Sequence, residues 1–130
     1  MKILIAEDDF ASRKFLQHFL SEYGECDVTV DGKEAVEAFE MAFEDQDPYD
    51  LVCLDIMMPE MDGYGALEKM RDIEGKKEIE EGKGVKVIMT TALTDGRNVR
   101  KAFSLGCVAY AGKPIDKDKL ESEIRKLGLI

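Results

Sequence analysis

Leu51-Val52-Cys53-Leu54-Asp55-Ile56-Met57-Met58-Pro59-Glu60-Met61-Asp62-Gly63 begins with four apolar residues, stops them on a carboxylate and then turns through a proline and a glycine. An unbroken apolar run of this length reads as a strand buried on both faces, the pattern of a parallel sheet. Asp55 then stands at the C-terminal end of a central strand, where open α/β sheets bind their ligands. Two other places in the chain match it. Asp8-Asp9 closes the first apolar run, Ile3-Leu4-Ile5-Ala6, and Lys113-Pro114 follows the last, Cys107-Val108-Ala109-Tyr110. Three acids and a lysine, each at a strand end, make a candidate site.

Outward from that stretch, strand and helix patterns alternate five times. Residues 2–6 read as a strand, and Phe15, Leu16, Phe19 and Leu20 give a helical stripe ending near Gly24. Cys26, Val28 and Val30 alternate with Asp27 and Thr29, which suits a half-exposed edge strand. Asp31 with Glu34 resembles a capping box and opens a helix with Ala35, Val36, Phe39, Ala42 and Phe43 on its apolar face. After strand 51–55, Leu67, Met70 and Ile73 mark a third helix, and Val85 to Met89 a fourth strand. Val99, Ala102 and Phe103 mark a fourth helix, with Gly106 as its C-terminal stop. Strand 107–111 and a helix burying Leu120, Ile124 and Leu127 complete the chain. Five β-α units predict an α/β fold with a five-stranded parallel sheet and right-handed crossovers. With the alternating strand at an edge, the order is 2-1-3-4-5, the flavodoxin-like (βα)5 arrangement. Strands 1 and 3 are then neighbours, and Asp8, Asp9 and Asp55 converge.

The 130 residues suit one domain, 1–130, with a single real core. A net charge of −10 argues against direct nucleic-acid binding through a basic patch. No apolar run approaches membrane-spanning length and no secretory signal precedes the first strand, so a cytoplasmic protein without membrane insertion is expected. Cys26, Cys53 and Cys107 all fall in predicted strands and read as buried structural thiols. The segment from Glu74 to Gly84 has three glycines and seven charges and reads as a loop or a frayed helix end.

Three carboxylates at one place repel one another and require a cation or protons. Oxygen-only ligands select a hard ion, and Mg²⁺ takes only one or two carboxylates while keeping sites open for phosphate oxygens. Lys113 supplies a fixed positive charge and Thr90-Thr91-Ala92 supplies hydroxyls. Together these parts suit phosphoryl transfer, in which a carboxylate attacks in line while cations neutralise the transferring oxygens. Taken singly, each part has a plainer use. Asp9 suits the N-cap of the first helix, Lys113 an exposed turn, and Thr91 an ordinary strand end. Their joint presence at one sheet edge favours the site.

The set Asp8-Asp9, Asp55, Met58-Pro59, Asp62-Gly63, Thr91-Ala92, Tyr110 and Lys113-Pro114 resembles the response-regulator receiver domain of two-component signalling, across essentially the whole chain. The resemblance implies that Asp55 accepts a phosphoryl group from a sensor histidine kinase or a phosphotransfer protein. It implies Mg²⁺ held directly by Asp9, Asp55 and the main-chain carbonyl of Met57, with Asp8 acting through water. It further implies that Lys113 pairs with the phosphoryl oxygens and that Thr91 and Tyr110 move together as a switch. The Lys113-Pro114 bond is then cis, and a downstream effector docks on the helix 4, strand 5 and helix 5 face. Such a protein is a signalling module that catalyses only its own phosphorylation and dephosphorylation. The segment between helix 3 and strand 4 is longer than is usual for that family, and the sequence stops after helix 5, so either a stand-alone receiver or a domain cut from a longer protein is expected. A small haloacid-dehalogenase-type phosphohydrolase is the alternative, but it expects an acid two residues after the nucleophile, where this chain has Met57. A flavodoxin-type FMN site fits less well, because Glu7-Asp8-Asp9 would repel the phosphate that its first loop must cradle.

Overall fold

A computed structural model describes residues 1–130. Five strands form one parallel sheet: β1 (Lys2–Ala6), β2 (Glu25–Thr29), β3 (Leu51–Leu54), β4 (Lys86–Thr91) and β5 (Ala109–Gly112). Their order is β2-β1-β3-β4-β5, as the alternation predicts. The intervening helices are α1 (Phe10–Leu20), α2 (Gly32–Glu44), α3 (Gly63–Lys76), α4 (Gly96–Ser104) and α5 (Lys117–Lys126). Each helix begins on an aspartate, namely Asp9, Asp31, Asp62, Asp95 and Asp116, whose side chain accepts from an amide in the first turn. Those caps satisfy donors that a helix start otherwise leaves open.

The pleat divides the core. Leu4, Ala6, Val52, Leu54, Val87 and Met89 face a layer closed by Phe39, Leu67, Met70 and Ala102 from α2, α3 and α4. Ile3, Ile5, Leu51, Cys53, Ile88 and Ala109 face the other layer, closed by Leu16, Phe19, Leu20, Leu120 and Ile124 from α1 and α5. Residues two apart on a strand share a face. This parity assigns the polar residues just past each strand end to one layer or the other.

The structure departs from the pattern in a few places. Phe103 is exposed rather than buried, because α4 seals its side of the core with Ala102 alone. Phe15 is also outward-facing, stacked on Phe19 with ring centroids 6.3 Å apart. Cys26 is half-buried, as its edge strand permits, while Cys53 and Cys107 are buried, and all three thiols are free. Gly106 takes φ +103 directly after α4, a conformation that favours glycine.

Candidate functional site

Asp55 directly follows β3 and is almost fully buried. Its Oδ1 accepts from the Ile56 amide at 2.7 Å, which holds the carboxylate against its own turn. The chain then loops through Pro59 and returns, and the Gly63 amide donates to the Ile56 carbonyl at 2.7 Å. A Cβ at position 63 would collide with the Asp55 carbonyl, so glycine is required for this close return. Met57 lies on the loop, exposed, and its carbonyl accepts no main-chain hydrogen bond.

From the other side, the Lys113 ammonium lies 3.0 Å from Asp55 Oδ2 and forms an ion pair with Glu7 Oε1. The Lys113–Pro114 bond is cis. Burial alone would depress the lysine, but the adjoining Glu7 and Asp55 carboxylates outweigh it and hold its pKa above the usual lysine range. Lys113 is therefore charged at any pH of interest.

Glu7 is the residue that strand-end reasoning missed. It is fully buried, and one oxygen of its carboxylate lies within 4.8 Å of one oxygen from each of Asp8 and Asp55, which are likewise within 4.8 Å of each other. Asp9 is not in that group. Its Oδ2 accepts from the Ser12 amide at 2.9 Å, so its carboxylate is committed to the α1 cap, and that bond lowers its pKa. The structure thus groups Glu7 and Asp8 with Asp55, where the sequence pointed to Asp8 and Asp9. Pleat parity continues Ile3 and Ile5 to Glu7, on the layer of Cys53, and the capping of α1, not parity, sets Asp9 apart.

The electrostatics of this group are unbalanced. Burial, and then the neighbouring Asp55, push Glu7 up to about 7 even though Lys113 pulls it down. Its Oε2 accepts from the Asp9 amide at 3.1 Å, whereas Oε1 meets Lys113 as an ion pair and has no aligned donor. Two unit charges about 4 Å apart interact by about 4 kcal/mol at an effective dielectric of about 20. Three carboxylates against one ammonium therefore leave a clear deficit of positive charge. The donor set is all oxygen and Asp8 is open to solvent, which fits a hard divalent cation such as Mg²⁺.

The hydroxyls sit at the end of β4. Leu54 pairs with Met89, so Thr91 stands one pleat beyond β3, at the same sheet edge as Asp55. Thr91 is fully buried and its Oγ1 accepts from the Leu93 amide at 3.3 Å. The neighbouring Thr90 hydroxyl is buried without a partner. Tyr110 donates its hydroxyl to the Leu93 carbonyl, and burial pushes that phenol up to about 12. Leu93 is thus gripped through both its amide and its carbonyl. Above the acids, Met57, Met58, Pro59, Leu93 and Tyr64 line a shallow groove of about 760 Å³ that also reaches Asp8.

Residues 3–125 match the response regulator receiver domain. A chemotaxis protein CheY from Treponema pallidum is 36% identical over 125 residues, covering 95% of this chain and 79% of that protein. A probable transcriptional regulator, ycf27 of Guillardia theta, is 38% identical over 125 residues, 95% of this chain but 44% of the relative. The chain spans about half the length of the first curated relatives it matches. Among solved structures, a CheX–CheY complex with BeF₃ and Mg²⁺ from Borrelia burgdorferi superposes with a TM-score of 0.84 at 26% identity, covering 98% of this chain and 89% of that one. The receiver domain of the histidine kinase CKI1 from Arabidopsis thaliana, complexed with Mg²⁺ and BeF₃⁻, gives 0.80 at 27% identity, with the same two coverages.

Proposed function

The chain belongs to the response regulator receiver domain family, and on that premise we propose that Asp55 is its phosphoacceptor. The observation that carries this is the placement of the Asp55 carboxylate, at the end of β3, 3.0 Å from Lys113 and grouped with Glu7 and Asp8. In the transfer, an Asp55 oxygen forms a bond to phosphorus while the bond from phosphorus to the donor histidine nitrogen breaks. The electron pair stays on the imidazole. Lys113 holds a positive charge against Asp55 and is placed to meet phosphoryl oxygens. The Thr91 hydroxyl, now bonded only to the Leu93 amide, is free to turn toward them. Asp8, Asp55 and the unengaged Met57 carbonyl would hold Mg²⁺, with Glu7 behind them rather than Asp9. The ion supplies positive charge against the oxygens of the transferring group.

The phosphodonor in this reading is a sensor histidine kinase or a phosphotransfer protein, and the output is a change in the α4, β5 and α5 surface offered to an effector. No helix is long and apolar enough to cross a membrane. The phosphohydrolase alternative gains nothing from the geometry, since the residue two past Asp55 is the exposed, uncharged Met57.

Intact mass after treatment with acetyl phosphate and Mg²⁺ tests the assignment. The wild type is expected to gain one phosphoryl group and Asp55→Asn none, with its circular dichroism unchanged. Equal labelling of the variant would remove Asp55 from the role.

A further inference from the structure

We infer that Arg13 is a positioning residue that preorganises the Glu7-Asp8 turn for the divalent cation. The inference rests on the metal-dependent reading above and goes beyond it to a residue outside the acid group. Arg13 lies in the first turns of α1. Its Nη1 donates to the Glu7 carbonyl at 3.0 Å and to the Asp8 carbonyl at 3.3 Å. Its own amide donates to the Asp9 carbonyl at 2.9 Å. One residue thereby holds three consecutive peptide groups, and two of them carry the first two carboxylates of the site.

The guanidinium forms no ion pair with any carboxylate. A residue present only to neutralise the acids would face their oxygens; this one faces their backbone. Its flank is covered by the Phe10 ring, whose centroid lies 5.5 Å from the guanidinium carbon. Phe10 is 64% exposed at the edge of the site, and its ring also lies 5.8 Å from the Lys14 ammonium. An aromatic face beside a guanidinium shields it from water and restrains its plane. Fixing the two peptide planes fixes where the carboxylates on them can point. Three mutually repelling acids left to themselves would splay apart.

The two possible roles differ in sign. If Arg13 acted as a charge, it would repel Mg²⁺, and removing it would tighten binding. As a scaffold, its loss lets the acids separate, and binding weakens. Outer-shell partners of this kind typically contribute about 10- to 100-fold in metal affinity.

The experiment is calorimetric titration of the full chain with Mg²⁺ alone, for wild type, Arg13→Met, Arg13→Lys and Phe10→Ala. Arg13→Met is expected to bind Mg²⁺ about tenfold more weakly. Arg13→Lys, which keeps the charge, is expected to fall between Met and wild type, and Phe10→Ala to weaken binding by a smaller factor. Phosphorylation by acetyl phosphate should require more Mg²⁺ for its half-maximal rate in Arg13→Met, with the rate at saturating Mg²⁺ unchanged. Binding as tight as wild type, or tighter, in Arg13→Met overturns the inference. If that variant fails to fold, wild-type affinity in both Arg13→Lys and Phe10→Ala overturns it instead. Wild-type protein that binds no Mg²⁺ would overturn the metal reading itself, a result that cannot be confused with the others.

Discussion

Glu7 carries a conflict that its neighbours only partly resolve: it is buried beside Asp55 and compensated by a lysine that Asp55 shares. Its carboxyl titrates near 4.5 when unfolded and at about 7 when folded. Between those values the folded chain keeps a proton that the unfolded chain has released, so protons favour folding there. The benefit is fully present below the unfolded value and is lost as pH rises through about 7. Glu7→Gln mimics the protonated group and escapes this dependence. In the presence of a chelator, its Tm advantage over wild type is therefore expected to widen from about pH 5.5 to about pH 8; a constant gap would show that Glu7 stays charged throughout. At this scale Asp55, Asp8, Lys113 and Thr91 could be picked out from the sequence because each lies at or just beyond the end of an apolar run, whereas Tyr110 was legible only through the family resemblance. Glu7 and Asp9 share the same pleat parity, so parity alone does not separate them; Asp9 differs because it stands past the strand as the α1 cap. Asp9 had the chemistry of a cap from the start, and the competing use of the carboxylate won.

Among the elements, strands were the easiest to read. The double-sided burial of β3 and the alternation of β2 follow directly from their residues, and the β2-β1-β3-β4-β5 order follows from those two facts. The segment after α3 was harder. Its charges suggested a solvated loop, yet Glu74 is almost fully buried. Its Oε1 accepts from Arg71 at 2.7 Å and its Oε2 from the Val85 amide at 2.6 Å, while Arg71 reaches the Gly106 carbonyl at 2.6 Å. This clip ties the end of α3 to the start of β4 and to the turn before β5. Only the Arg71–Glu74 pair has a local spacing, three residues apart on α3; nothing local announces the Val85 and Gly106 partners, which are distant in sequence. Glu74→Ala strands the Val85 amide and the guanidinium, and is expected to cost about 1–3 kcal/mol in urea unfolding. Arg71→Ala should cost less, and the double variant less than the sum of the two, because they share one network. Additive losses would mean that the two side chains act independently.

Over the whole molecule, the parallel arrangement gathers the ends of β1, β3, β4 and β5 at a single edge, so a change at Asp55 can reach distant surfaces through Leu93. Thr91 holds the Leu93 amide and Tyr110 its carbonyl. Beyond them, Tyr64 of α3 donates to Asn98 in the first turn of α4. A hydroxyl drawn toward a phosphoryl group releases one of these grips. Beryllofluoride with Mg²⁺ is therefore expected to shift amide resonances along α4 and β5 as well as around Asp55; shifts confined to the acid loops would rule out this coupling. The groove over the acids has a separate consequence, one of duration. Water must approach an acyl phosphate in line with the bond it breaks. The groove there is lined by Asp8, Asp62 and Tyr64 as well as by apolar residues, but Met57, two places past Asp55, and Leu93, two past Thr91, have no side chain able to orient a water by hydrogen bonding. A group that orients water typically contributes about 10²- to 10⁴-fold. The molecule is accordingly expected to keep slow time, and a Met57→Asn, Leu93→Glu variant should lose its label faster once the donor is removed. Equal decay would assign the timing to other residues. A module that resets slowly carries a record of past stimulation, and a pathway built on it responds to an average over time rather than to the latest pulse.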